Sequence, residues 1–242
     1  MDKIIKSTSS WQRLKLIFEQ QVMVLEELVT DEESRKQVAF LRDTFLKEDV
    51  ILKAIGLGLE NAEIPILAVI PKNCMETKRQ ASFINFKGIS GVTELSLNKV
   101  VDIDEKLPHH HPYWAFGISI GTETLNMPAK TAASEIFTRG RKPFTLAEDI
   151  ALQIQYPSTM DIVSMNACGS CYGEKEGNVV KNVPAIFIHN GCPTVTWNNV
   201  NKNRSEGVLK PWASPSCLKR MSNFGVMTYI QCRYWRKRRE RK

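Results

Sequence analysis

Trp11, Leu14, Phe18, Val22, Leu25 and Leu28 recur every three or four residues. That spacing gathers all six on one side of an α-helix, whereas a strand would scatter them over both faces. A chain that opens with such a stripe has a helical layer and needs a second layer to cover it. Ser9-Ser10-Trp11-Gln12 fits a capping box, in which the Ser9 hydroxyl and Gln12 amide satisfy free backbone donors. Thr30-Asp31-Glu32-Glu33 fits another and predicts a second helix. Its buried face carries Val38, Leu41, Phe45, Leu52 and Ile55, and Gly56 and Gly58 end it. Together they predict a helical hairpin packed on whatever follows.

After Glu60 the texture changes. Ile64 to Ile70 is a continuous apolar run between Pro65 and Pro71, and reads as a buried strand. Ala81 to Phe86, Val92 to Leu97 and Tyr113 to Ile120 are also strand-like. Pro128 and Gly140 bracket a helix, and the box Thr145-Leu146-Ala147-Glu148 opens another that stops before Pro157. From Asp161 onward the pattern is short strands and long loops, with strands at Ala185 to Ile188, Thr194 to Trp197 and Phe224 to Cys232. Strands and helices do not alternate regularly, which argues against a doubly wound parallel sheet. The expected fold is α+β: an N-terminal helical pair on a mixed, mainly antiparallel sheet, with two further helices. The expected division is a helical segment over 1–60, an α+β core over 61–232 and a basic tail over 233–242.

Composition narrows the class. Of 242 residues, 43% are apolar and 24% charged, as in ordinary globular domains. No run approaches the ~20 apolar residues of a membrane span. Charges interrupt the N-terminal stretch throughout, so it lacks the apolar region of a signal peptide. The expected location is cytoplasmic, where six cysteines read as thiols or metal ligands rather than disulfides.

Several short blocks occur in order: Pro112 to Gly121 (PYWAFGISIG) with Thr122-Glu123-Thr124-Leu125, then Arg141 to Glu148 (RKPFTLAE), Val183-Pro184-Ala185-Ile186, and Trp212 to Cys217 (WASPSC). In these blocks the chain resembles an uncharacterised bacterial family, a domain of unknown function. The resemblance spans roughly the last two-thirds of the chain and carries no activity with it. It implies one continuous central domain to which the basic tail is an addition.

Four patterns could carry chemistry. Cys168-x2-Cys171 and His189-x2-Cys192, with 17 residues between the halves, match the ligand types and spacing of a tetrahedral zinc site. Zinc is the one cofactor the sequence suggests; otherwise none is expected. Gly117-Ile118-Ser119-Ile120-Gly121 matches a G-x-S-x-G nucleophile elbow, and Asp149 or Asp161, then His189, follow in hydrolase order. Its context fails, because the helix starts only at Pro128, so a strand ending in a glycine turn is expected. His109-His110-His111 reads as an exposed loop. Tyr113, Trp114, Thr122 and Glu123 combine aromatic faces with a hydroxyl and a carboxylate near a glycine turn, and could line a polar pocket.

The last ten residues hold seven basic side chains and one acid, which is +6 of a net +7. Arg233, Arg236, Lys237, Arg238, Arg239, Arg241 and Lys242 are therefore candidate anion ligands for nucleic acid or anionic lipid. The expected function is a non-enzymatic binding or interaction protein with a small-molecule or peptide pocket near Tyr113 to Glu123. The alternatives are a metal- or thiol-dependent enzyme using the cysteine–histidine set, and weak nucleic-acid or membrane association through the tail.

Overall fold

A computed structural model describes residues 2–46, 49–104, 107–173, 181–201 and 210–221. Three helices open the chain: α1 (Asp2–Leu28), α2 (Glu32–Leu46) and α3 (Asp49–Gly56). Then come β1 (Ile64–Val69), α4 (Thr77–Phe83), β2 (Asn85–Phe86), β3 (Ile89–Ser90), β4 (Val92–Thr93), β5 (Val100–Asp102) and β6 (Tyr113–Ile118). The second half holds α5 (Ala129–Thr138), β7 (Lys142–Pro143), α6 (Leu146–Gln155), β8 (Ser164–Asn166), β9 (Ser170–Tyr172), β10 (Asn182–His189) and β11 (Cys192–Asn199). The short strands β12 (Trp212–Ala213), β13 (Ser216–Cys217) and β14 (Lys219–Met221) follow. The fold is α+β, with its helical pair at the N-terminus and mixed, mainly antiparallel sheets.

β6 is the centre of an antiparallel sheet ordered β1-β6-β14. Both faces are covered, which is why β1 and β6 read as unbroken apolar runs. Ile66, Ala68, Trp114 and Phe116 pack with Leu14, Phe18, Val22 and Leu25 of α1. Leu67, Val69, Tyr113 and Ala115 pack on the other side with Phe144, Leu152 and Met165. The free edge of β1 is closed by a side chain. Gln21 of α1 donates to Ile66 O and accepts from Ala68 N, both at 2.8 Å, so a buried amide replaces the missing neighbouring strand. The larger sheet runs β12-β8-β10-β11-β4, with β9 joining β10 to β5. The β10–β11 hairpin is its longest pairing, and β4 and β12 are parallel to their neighbours.

Several boundaries differ from the sequence expectation. α1 runs through Ser9, so that box lies inside the helix rather than at its start. Asp31, not Thr30, caps α2, with its carboxylate accepting from Ser34 N at 2.9 Å. The expected second helix is two, α2 and α3. The buried face of α3 is out of phase with the expected one: Val50, Ile51 and Ala54 are buried and Leu52 is 58% exposed. Ala81 to Phe83 belong to α4, which Gln80 steadies by donating to Met75 O at 2.7 Å; strand starts only at Asn85. The Val92 to Leu97 run supplies only β4 and the start of a 3-10 turn at Leu97. Among the described residues there are six α-helices, α3 and α4 being additional to those expected. The strand expected at Phe224 to Cys232 lies outside the described residues.

α6 is buried on almost every side, with its own Thr145–Glu148 capping box formed as the sequence predicts. It is the helix that places charged groups in the interior.

Candidate functional site

Gly117 (φ +61°) and Gly121 (φ +85°) bend the chain as it leaves β6. A side chain at Gly121 would have to sit 2.6 Å from the Ser214 carbonyl oxygen, so glycine is required there on two counts. Between them, Ser119 pairs with Ser216: each N–H donates to the other's carbonyl, at 2.9 and 3.0 Å. Directly opposed residues project to the same side, so their hydroxyls are neighbours.

Each hydroxyl is joined to a different charge. Ser119 Oγ donates to both carboxylate oxygens of Glu123, at 2.8 and 2.7 Å, and accepts from Gly121 N at 3.1 Å. Ser216 Oγ accepts from Arg141 Nε at 2.8 Å. Arg141 Nη2 also donates to the Ser216 and Gly117 carbonyl oxygens. Its Nη1 has no protein partner among the described residues. Glu123, Arg141 and Ser119 are partly exposed, while Ser216 is buried. A carboxylate and a guanidinium thus flank two serine hydroxyls, with no ion pair between them among the described residues.

Behind this rim lies a buried charged network. Glu148 is fully buried; its carboxylate accepts from Thr145 N and from Arg220 Nη2, each at 2.8 Å. Arg220 further donates to Pro143 O at 2.8 Å and reaches Asp104 at 3.3 Å. Burial, and then the Glu148 charge, push the Tyr113 hydroxyl well above its ordinary range. The neighbouring Asp149 is also fully buried, and neither of its oxygens has a hydrogen-bond partner among the described residues. Burial first, and the charge of Glu148 second, hold its carboxyl well above the usual carboxylate range.

The residues singled out in the sequence fall as follows. Tyr113 and Trp114 are 3% and 0% exposed and point to opposite faces of β6. Thr122 and Glu123 sit on a 3-10 turn (Thr122–Thr124), with Thr122 exposed. Ser119 has a carboxylate rather than an imidazole as its hydrogen-bond partner.

The four metal candidates have separate partners. Cys168 Sγ donates to Ala129 O and Ser214 Oγ, Cys171 Sγ to Val101 O and Cys192 Sγ to Ser90 O. His189 stands opposite Cys192 across the hairpin turn. Burial pushes the Cys168 thiol up to about 12, so it stays protonated at neutral pH. Among the described residues, no group of three or more His, Cys, Asp or Glu could hold a metal ion. His111 stacks on Phe40, with centroids 5.3 Å apart. The tail candidates Arg233, Arg236, Lys237, Arg238, Arg239, Arg241 and Lys242 lie outside the described residues. No helix among the described residues is long and apolar enough to cross a membrane.

Sequence reasoning missed Arg141 and Ser216 as partners of the Ser119–Glu123 pair. The available signal was the set of short blocks. Ser119 and Glu123 belong to one, Arg141 and Glu148 to a second, and Ser214 and Ser216 to a third, and the fold brings the three together.

A family model described as "Family of unknown function (DUF5701)" matches residues 22–208. That match begins within α1 and stops before β12, β13 and β14. No curated protein and no solved structure matches.

Proposed function

The chain belongs to this family of unknown function, and from that premise we propose that it is a non-enzymatic binding protein whose site is the rim formed by Ser119, Thr122, Glu123 and Arg141. The observation that supports this most is the placement of an anion and a cation on either side of a hydroxyl pair. Such a rim complements a small zwitterion: an ammonium beside Glu123, a carboxylate beside Arg141 Nη1, as in a free amino acid or the ends of a short peptide. Tyr113 and Trp114 serve this reading as buried anchors of the strand that carries the rim. Recognition rather than turnover is the activity proposed for this rim.

The test is calorimetric titration with free amino acids and unblocked dipeptides, with acetate and methylammonium as single-charge controls. A zwitterion should bind and both controls should bind far more weakly. Glu123→Gln should weaken binding about tenfold, the scale of one hydrogen bond to a charged group. The unliganded variant should melt within a degree or two of the parent protein, because partly exposed sites away from the core contribute little to stability. Equal binding by Glu123→Gln would remove the site. Stoichiometric zinc in protein purified without chelator would instead favour the set Cys168, Cys171, His189 and Cys192.

A further inference from the structure

A second feature lies in the helical layer. A cavity of about 330 Å³ opens between α1 and α2, lined by Glu26, Val29, Arg35, Val38, Ala39 and Arg42. That volume is at the lower end of the range for small-molecule sites. Helix geometry explains the set. Positions three, four and seven residues after Arg35 fall on one stripe of α2, which brings Val38, Ala39 and Arg42 to the same side. Val29 and Val38 are 3% and 1% exposed and form an apolar floor. Ala39 stands one turn from Arg35 and one from Arg42, and its single methyl leaves the space between the two longer side chains open. No residue of the Ser119–Arg141 rim lines this cavity.

The two cations of the lining differ. Arg42 is ion-paired with Glu26, which lines the cavity from α1. The Arg35 guanidinium has no hydrogen-bond or ion-pair partner among the described residues. The acids within one helical turn before it are engaged elsewhere. Asp31 accepts from Ser34 N and is ion-paired with Arg79, and Glu32 is ion-paired with Lys36 at 3.2 Å. With Glu26 and Arg42 cancelling, the lining carries one uncompensated positive charge beside an apolar floor.

We propose that this cavity binds a small organic monoanion with an apolar body, an aliphatic or aromatic carboxylate. Its carboxylate pairs with Arg35, and its hydrocarbon part lies on Val29, Val38 and Ala39. A planar guanidinium meets a carboxylate through two parallel hydrogen bonds, which fixes the head of the ligand as well as attracting it. The apolar body gains by leaving water for the valine floor. The charges of the lining select the class. A dianion finds no second free cation, because Arg42 is held by Glu26, and an ammonium finds no free carboxylate for the same reason. The ligand therefore differs from the zwitterion of the rim.

Charge and apolar contact separate in one experiment. The full chain is titrated calorimetrically with cinnamate, with cinnamyl alcohol as the uncharged control and acetate as the control without an apolar body. Cinnamate should bind, and both controls should bind at least about tenfold more weakly, the scale of one hydrogen bond to a charged group. Arg35→Gln should weaken cinnamate by about the same factor and leave cinnamyl alcohol unchanged, a split that misfolding would not produce. Ala39→Leu should weaken both probes by filling the space. It should leave the melting temperature of the free protein unchanged, because Ala39 is exposed and leucine is nearly as good a helix former. Cinnamate affinity unaltered by Arg35→Gln or by Ala39→Leu overturns the proposal. So does cinnamyl alcohol bound as tightly as cinnamate, or no binding of cinnamate at millimolar concentration.

Discussion

Gln21 is one polar side chain that a strand depends on. It is 2% exposed, and its amide serves Ile66 O and Ala68 N on the open edge of β1. Gln21→Leu keeps the volume but strands two buried backbone groups. The expected loss is about 2–4 kcal/mol in urea unfolding, from two unsatisfied groups at about 1–3 each, less a gain in apolar burial. A loss below about 0.5 kcal/mol would mean that the edge finds other partners. Asp149 makes the opposite case, a buried carboxyl with no hydrogen-bond partner among the described residues. Its folded pKa is raised, while an unfolded aspartate titrates near ~3.9. Between those values the native state holds a proton that the unfolded state has lost, so stability falls as pH rises through that window. Asp149→Asn cannot ionise and should lose less melting temperature than the parent protein between pH 5 and 8. Parallel melting curves across that range would show that the carboxyl has a partner when the protein is in water.

Elements were legible where a local signal and burial agreed. The Thr145–Glu148 box, Pro128 and Gly140 placed α5 and α6 within a residue or two, because capping depends on neighbours in sequence. The apolar run at Ile64 gave β1 for the same reason: both its faces are core. Ala81 to Phe86 misled because a short apolar run fits a buried strand and a short helix equally well. Leu52 misled because the buried face of α3 (Asp49–Gly56) does not continue the phase of α2 (Glu32–Leu46), and nothing in the local sequence announces the change. The site was half legible. Ser119 and Glu123 lie four residues apart and could be read together, whereas Arg141 and Ser216 are 75 residues apart and join only through the fold. Tyr113 and Trp114 looked like ligand contacts because aromatic residues beside a glycine turn look the same in sequence whether they face a pocket or the core.

At the scale of the whole molecule, the central sheet is assembled from distant segments. β1 and β6 come from the first half of the chain and β14 from residues 219–221, beyond the end of the family match at residue 208. β14 is three residues long, yet its Arg220 supplies the counter-charge for fully buried Glu148, 72 residues away. Without it, the acid in the α6 capping box would lie uncompensated beside Asp149, and burying an unpaired charge is among the costliest changes a core can suffer. Arg220→Leu should therefore destabilise the protein by about 3–5 kcal/mol, far more than three residues of edge pairing would suggest. Adding Glu148→Gln to that variant should restore part of the loss, since a neutral amide can keep an acceptor for Thr145 N without an unpaired charge. Deleting everything after residue 208 removes β12, β13 and β14 together and should leave a chain that does not unfold cooperatively. Arg220→Leu alone with near-native stability in urea, or a double variant no better than the single one, would mean that Glu148 is neutralised in some other way and that β14 is dispensable to the core.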